Sequence, residues 1–266
     1  MRYLIKIILL FLPAFLSLTT CLGQDNDIKD RIWVGLNQEY IEILKDTVII
    51  DDGHGPEVYS VRIKKDTLKI CSLDILDDIE RVNKYSAYFK IETLARDTLI
   101  IKPINLKYTK DYFNDTTSIL FINKKLLVDS NLIFQGLKFT GSGCLGNCPE
   151  YKIDIDANGF LYVEVGISKW VKKGNYKSQL SKNDLSKLIS ILKRSNLDSF
   201  PENLWGAIDA PIYSFEFRYN NKIKKSNGSF IPYFNYELRH FLYNIPSENK
   251  LKRTKKRDVF EEVNWR

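Results

Sequence analysis

Three times in its first hundred or so residues the chain repeats one phrase: Lys45-Asp46-Thr47-Val48-Ile49-Ile50, Lys65-Asp66-Thr67-Leu68-Lys69-Ile70 and Arg96-Asp97-Thr98-Leu99-Ile100-Ile101. Each copy follows a stretch of alternating apolar and polar residues, "EYIEIL", "VYSVRIK" and "AYFKIE". Alternation sends successive side chains to opposite faces of a strand, so one face is apolar and the other polar. The cation-Asp pair then makes a turn and Thr opens the next strand, so every phrase predicts a β-hairpin. The copies start at residues 45, 65 and 96, a spacing too uneven for a solenoid. A meander of hairpins is the expectation. Tyr and Phe number 15 each against one Met, and aromatic residues favour strands.

The meander is expected over residues 25–130. Its hairpin succession resembles small lipocalin-like barrels, which either hold an apolar ligand or fill their own interior with side chains. A filled β-core is the favoured reading. The same phrases, with Asp115-Thr116-Thr117, match a short Asp-Thr-aliphatic O-glycosylation signal, yet turn chemistry accounts for the Asp-Thr pairs without sugar.

From about residue 131 the pattern changes. "LIFQGLKF" reads as a strand, and "EYKIDID" alternates Tyr151, Ile153 and Ile155 against Lys152, Asp154 and Asp156. Asn158-Gly159 then turns the chain into "FLYVEV", a hairpin expected to carry a type I′ turn. "SKWVKKGNYKS" reads as a further strand or ribbon. Ser181 is placed to cap a helix whose apolar stripe is Leu185, Leu188, Ile189 and Leu192. "IYSFEFRY" is a strand turning at Asn220-Asn221, and Pro232 suits the first turn of a second helix with Phe234, Leu238, Phe241, Leu242 and Ile245 on one face. Antiparallel hairpins with two segregated helices make 131–247 an α+β domain, and the chain as a whole α+β. Residues 248–266 read as a basic tail, with "KLKRTKKR" at 250–257.

Residues 1–23 read as a targeting segment. Arg2 and Lys6 form a charged start, and Ile7–Leu18 supply an apolar run too short to span a bilayer comfortably. Leu18-Thr19-Thr20-Cys21 resembles a bacterial lipobox with Cys21 as the lipidated residue; a cut after Gly23 is the competing reading. The expected location is therefore the periplasm, the outer membrane as a lipoprotein, or the extracellular space. Net charge is +7, and losing Arg2 and Lys6 would leave +5, much of it in the tail. Such a tail could meet anionic lipid, polysaccharide or nucleic acid, but a solvated terminus is the simpler account and export argues against nucleic acid.

Export also bears on the cysteines, because thiols outside the cytoplasm tend to oxidise. Cys144 and Cys148 stand in "GSGCLGNCPEY", while Cys71 in "TLKICSL" reads as a small buried hydrophobe, with its pairing to either of the other two as the open alternative. Zinc would need two further ligands, and the only histidines, His54 and His240, are isolated. Redox chemistry is disfavoured because the spacing is C-x-x-x-C with no flanking base. A disulfide that closes a tight loop is the expectation, with Gly143 and Gly146 permitting the bend. Asp154, Asp156, Asn158 and Gly159 echo the start of a calcium loop, but the twelfth position is Val165, and a solvated strand face explains them equally well.

Gly143-Cys144-x-Gly146-x-Cys148-Pro149-x-Tyr151, then Gly159, Gly174-x-Tyr176 and Asp209-Ala210-Pro211 together resemble the family catalogued as domain of unknown function 6438, over about 133–246. Glu164 stands where that resemblance leads to a glycine. The resemblance implies exported bacterial proteins, often lipoproteins, and implies no reaction.

Function is bounded mainly by what is missing. No nucleophile elbow, metalloprotease helix, P-loop or dinucleotide fingerprint occurs, so no cofactor is expected and no catalytic residue is assigned. A non-enzymatic binding or structural module of the cell envelope, meeting an envelope protein or glycan, is the leading expectation. Its candidate surface is Tyr151, Trp170, Tyr176, Trp205 and Asp209, with a core-edge role for these aromatics as the simpler account. The alternatives are a carboxylate-dependent glycan hydrolase using two of Glu150, Asp154, Asp156, Glu202 and Asp209, and lipophilic-ligand binding by the amino-terminal β domain.

Overall fold

A computed structural model describes residues 28–255, apart from 30, 37, 53, 74–81, 83–84, 111, 114–116, 147, 205 and 207–208. The leader with Cys21, the Asp115-Thr116 pair, Trp205 and the tail beyond Lys255 lie outside the described residues.

Eight strands come first: β1 (Ile32–Gly35), β2 (Tyr40–Ile43), β3 (Thr47–Asp51), β4 (Glu57–Lys64), β5 (Thr67–Ser72), β6 (Ala87–Leu94), β7 (Thr98–Pro103) and β8 (Ile119–Asn123). Paired in chain order, they close a barrel, with a four-residue helix, α1 (Leu106–Thr109), between β7 and β8. The repeated phrase explains how. Thr67 and Thr98 each donate a hydroxyl hydrogen bond to the preceding aspartate, at 3.3 and 3.1 Å. The carbonyls of Asp46, Asp66 and Asp97 then accept the amides of Val61, Ile91 and Asn123, at 3.0, 2.6 and 2.9 Å. Each acceptor sits in a hairpin turn and each donor on the strand after that hairpin. One phrase thus makes a turn and begins the next pairing.

The barrel interior is filled. Trp33, Ile41, Ile43, Val48, Leu68, Ile70, Phe89, Leu99, Ile101 and Phe121 are all 0% exposed. A side chain bordering a void wide enough for water would show accessible area, so these border none. The rings of Phe89, Phe113 and Phe121 meet edge to face at 5.8 and 5.7 Å, a preferred aromatic geometry. Cys71 on β5 is buried and unpaired, as a small hydrophobe would be.

The second sheet has seven strands in the order β14-β13-β9-β10-β11-β12-β15. They are β9 (Phe134–Gly141), β10 (Tyr151–Asp156), β11 (Phe160–Val165), β12 (Gly174–Gln179), β13 (Tyr213–Tyr219), β14 (Lys222–Gly228) and β15 (Lys252–Arg253). Helices α2 (Lys182–Lys193) and α3 (Tyr236–Glu248) pack on one face. Phe139, Ile153, Val163 and Phe215 from the strands join Leu188, Leu192, Leu238 and Leu242 from the helices in one core. Burying each such side chain stabilises by roughly 1.5–3 kcal/mol.

Local details follow residue chemistry. Ser181 caps α2, accepting the Asp184 amide at 3.1 Å and donating to its carboxylate at 2.7 Å. Two expectations need correction. The 158–159 turn is not type I′: in that turn only Gly159 has positive φ (+80°), and Gly159 donates to the Asp156 carbonyl at 3.0 Å. This is a three-residue hairpin loop with glycine at the left-handed position. The type I′ geometry occurs instead at Asn220 (φ 47°) and Asn221 (φ 59°), between the paired Tyr219 and Lys222. Pro232 stays extended (φ −49°, ψ 133°); a 3-10 turn, Tyr233–Asn235, intervenes before α3 begins at Tyr236.

By its contacts the described chain divides into two units. The first runs to Trp33 and adds Ile41–Ile49 and Val58–Asn123; the second takes Val34–Tyr40, Ile50–Glu57 and the chain from Lys124. Among the described residues no helix is long and apolar enough to cross a membrane.

The end of β14 anchors the loop that follows Phe200. Asn227 of β14 accepts the Leu204 amide on its carbonyl at 2.8 Å and donates its own amide to the Glu202 carbonyl at 3.0 Å. Gly228 has φ +144°, and a Cβ there would strike the Leu204 carbonyl. Gly228→Ala should therefore cost roughly 1–3 kcal/mol, read as a lower urea midpoint. An unchanged midpoint would mean that this loop does not rest on β14.

Candidate functional site

The loop joining β9 to β10, the loop leaving β11 and the loop entering β13 emerge at the same end of the second sheet and bond to one another. The Ser142 amide donates to the Ile212 carbonyl at 2.8 Å, and the Ile212 amide returns to the Ser142 hydroxyl at 2.8 Å. The Glu150 amide donates to the Ile167 carbonyl at 2.7 Å, and the Gly166 amide to the Glu150 carbonyl at 2.9 Å. Between these ties Cys144 and Cys148 form the expected disulfide, with Cα atoms 5.5 Å apart. Gly143 and Gly146 flank Cys144 within this tight bend.

The loop after β11 is ordered by Ser168. Its Oγ accepts the amides of Trp170 and Val171 at 3.1 and 3.3 Å and lies 2.8 Å from the Tyr151 hydroxyl. Tyr176 donates its hydroxyl to the Lys172 carbonyl at 2.6 Å. Tyr243 of α3 approaches the rings of Phe139 and Tyr151 at 5.6 and 5.7 Å. Burial, reinforced by Tyr213, pushes the Tyr243 phenol above its ordinary value.

The candidate surface therefore divides. Tyr151 (1% exposed) and Tyr176 (8%) are buried and support the loops from beneath. Trp170 is 66% exposed. Asp209 is exposed and left-handed at φ 70°, a conformation Asp tolerates better than most residues. Sequence reasoning passed over three further exposed side chains at this end: Leu145 (84%), Ile167 (53%) and Ile212 (38%). Nothing marks Leu145 and Ile167 locally, because each is a single apolar residue in a loop, and Ile212 reads as the first residue of the strand that begins one position later.

A cavity of about 230 Å³ opens at the root of the cysteine loop, bordered by Thr140, Ser142, Glu150, Lys152, Glu164 and Gly166. Glu164 pairs with Lys152 at 3.4 Å. The Glu150 carboxylate lies between two glycines: a Cβ on Gly143 would come within 2.6 Å of one oxygen, and one on Gly166 would collide with the other. Glycine at both positions is what lets the carboxylate sit there.

The remaining carboxylates are engaged elsewhere. Asp156 Oδ1 accepts the Asn158 and Phe160 amides at 2.9 and 2.8 Å, so the calcium-like phrase is built as a turn. Asp154 stands opposite Lys138 and Tyr162 in the ladder. Among the described residues no three His, Cys, Asp or Glu side chains are grouped to hold a metal. A broader groove of about 640 Å³ on β13 and β14 contains Glu202 and Glu216. Glu202 pairs with Lys224 at 3.7 Å, and Glu216 with Arg218 at 2.6 Å and Lys225 at 3.6 Å. Burial opposes the charge on Glu216, but the Arg218 hydrogen bond and the nearby cations outweigh it and hold the carboxyl below its ordinary value.

Residues 135–245 match the family described as Domain of unknown function (DUF6438). The match takes in β10 to β14, most of β9, all of α2 and most of α3, and every residue that carries the resemblance. No curated protein and no solved structure matches the chain. The DUF6438 segment thus holds the disulfide loop, Glu150 and the exposed apolar tips, while the barrel lies outside the match.

Two outcomes follow. Closing a loop this short restricts the unfolded chain by an amount worth about 2 kcal/mol, so Cys144→Ser with Cys148→Ser should lower stability by that much while leaving the far-ultraviolet spectrum intact. Complete unfolding would show that the bond holds the domain, not the loop. The Glu216 carboxyl has its pKa lowered on folding, so its stabilisation is present above its unfolded value and fades as pH falls through the folded one. Glu216→Gln should lower the urea midpoint at pH 7 and change it little at pH 3; equal effects at both would discard the pairing.

Proposed function

We propose that this is an exported cell-envelope protein whose DUF6438 segment is a non-enzymatic binding module, with the cysteine-loop end as its binding face. The observation that carries the reading is the exposure of Leu145, Ile167, Trp170 and Ile212 on three loops tied to one another by backbone hydrogen bonds. Single exposed apolar residues are ordinary, but several gathered on neighbouring, pre-ordered loops are characteristic of contact surfaces. The disulfide supports export, since such bonds persist outside the reducing cytoplasm. Envelope proteins and glycans are the expected partners, with attachment through a lipid on Cys21 or release after cleavage at Gly23 as the two maturation routes.

One observation favours a second reading. Glu150 and Glu164 border the same cavity, and glycoside hydrolysis needs two carboxyl groups facing a substrate. Glu164 is held by Lys152, which argues for the binding module.

Intact mass of the chain from its native host tests export: a start at Cys21 with added lipid, or at Gln24, is expected, with two hydrogens missing for the disulfide. Retention of Met1 with reduced thiols would overturn it. A photo-crosslinking residue at 145 should yield a discrete adduct with an envelope component, whereas one at exposed Ile223 should not. No adduct at 145 would remove the binding face.

A further inference from the structure

Residues 166–180 contain Lys169, Lys172, Lys173 and Lys177 and no acidic residue; residues 249–257 hold six basic residues and again none that is acidic. The two stretches are far apart in sequence, and the sheet brings them together. β15 pairs antiparallel to β12, Tyr176 opposite Arg253 and Lys177 opposite Lys252. Arg253 donates to the Lys173 carbonyl at 3.0 Å and the Thr254 amide to the Asn175 carbonyl at 2.9 Å, so β15 runs toward the Trp170 loop. Gly174 leaves room for this: a Cβ there would press within 3.3 Å of the Arg253 guanidinium.

Two lysines directly opposite in a ladder repel each other and weaken the pairing. Lys177 and Lys252 are so placed, both exposed, with Lys169, Lys172, Lys173 and Lys255 exposed nearby. None of these makes an ion pair with a carboxylate among the described residues. Lysines in an edge ladder block pairing with another chain, but Lys169, Lys172 and Lys173 lie outside the ladder, and an anionic counterpart accounts for them. At its end stand Ile167 and Trp170, exposed and held in position by Ser168 and the Glu150 amide.

We infer that the β12–β15 edge and the Trp170 loop form a docking surface for an anionic lipid bilayer. This deepens the reading above by naming the partner of the same loop end, and it rests on that reading. A soluble polyanion would be served by lysines alone. A bilayer needs cations for its phosphates and, beside them, an amphipathic ring and an aliphatic side chain for the headgroup boundary. Trp170 and Ile167 supply those. The contact is peripheral, and it orients the cysteine-loop end toward the lipid.

The test uses the full chain with vesicles of phosphatidylcholine, with or without phosphatidylglycerol, brominated on the acyl chains. Emission of wild type minus that of Trp170→Phe isolates Trp170, so attachment through the amino-terminal segment cannot imitate the signal. On anionic vesicles Trp170 should be quenched, on neutral ones not, and added salt should reverse the quenching. Lys169→Gln with Lys172→Gln and Lys173→Gln should weaken the quenching titration by roughly a hundredfold; should that variant not fold, the salt titration of wild type still decides. Unquenched Trp170 on anionic vesicles overturns the proposal, and so does equal quenching on neutral ones. Competition by dextran sulfate without quenching would assign the edge to a soluble polyanion and also overturn it. Failure here alongside a protein or glycan adduct at position 145 discards the bilayer and keeps the binding face; failure of both discards the face.

Discussion

The second unit depends on how one end of a sheet satisfies its backbone. Where β9 and β11 end and β10 and β13 begin, the amides and carbonyls beyond the ladder lose their partners, and an unpaired buried polar group is costly. The loops solve this by pairing with each other: Ser142 with Ile212, and Glu150 with Ile167 and Gly166. These ties fix where each loop leaves the sheet. The disulfide then shapes the bend between Gly143 and Pro149, a region too short to fold on its own contacts.

Once the loops are fixed, side chains divide the work. Tyr151 and Tyr176 spend their rings on the core and their hydroxyls on the loop above, while Tyr243 packs its ring against that of Tyr151. Glycines make room where something else must pass: Gly143 and Gly166 for the Glu150 carboxylate, Gly174 for Arg253. What remains pointing outward is apolar at the tips and basic along the β12–β15 edge. A surface built this way keeps its shape without a partner, so binding loses little ordering entropy.

Much of the fold could be read from the chain. The Lys/Arg-Asp-Thr phrases announced the hairpins because turn and strand chemistry are local, and Ser181 announced its helix for the same reason. Elements set by distant partners could not be read. β14 is "KIKKSNG", without apolar alternation, and it forms because β13 offers it a complete ladder. β15 was hidden in a basic run that reads as solvated tail; only its pairing with β12 makes it a strand. The candidate site was half legible. The cysteines, Trp170 and Glu150 stood out by type and spacing, whereas Leu145, Ile167 and Ile212 acquire meaning only when three loops are brought to one end.

The central claim is that this end exists as an ordered surface before any partner arrives. Hydrogen exchange resolved to single amides tests it directly on the oxidised chain alone. The amides of Ser142, Glu150, Gly166 and Ile212 should exchange nearly as slowly as those of Ile153 and Phe215 in the ladders beneath them. Exchange at the rate of an open loop would contradict the account, because the tips would then have no fixed place from which to bind.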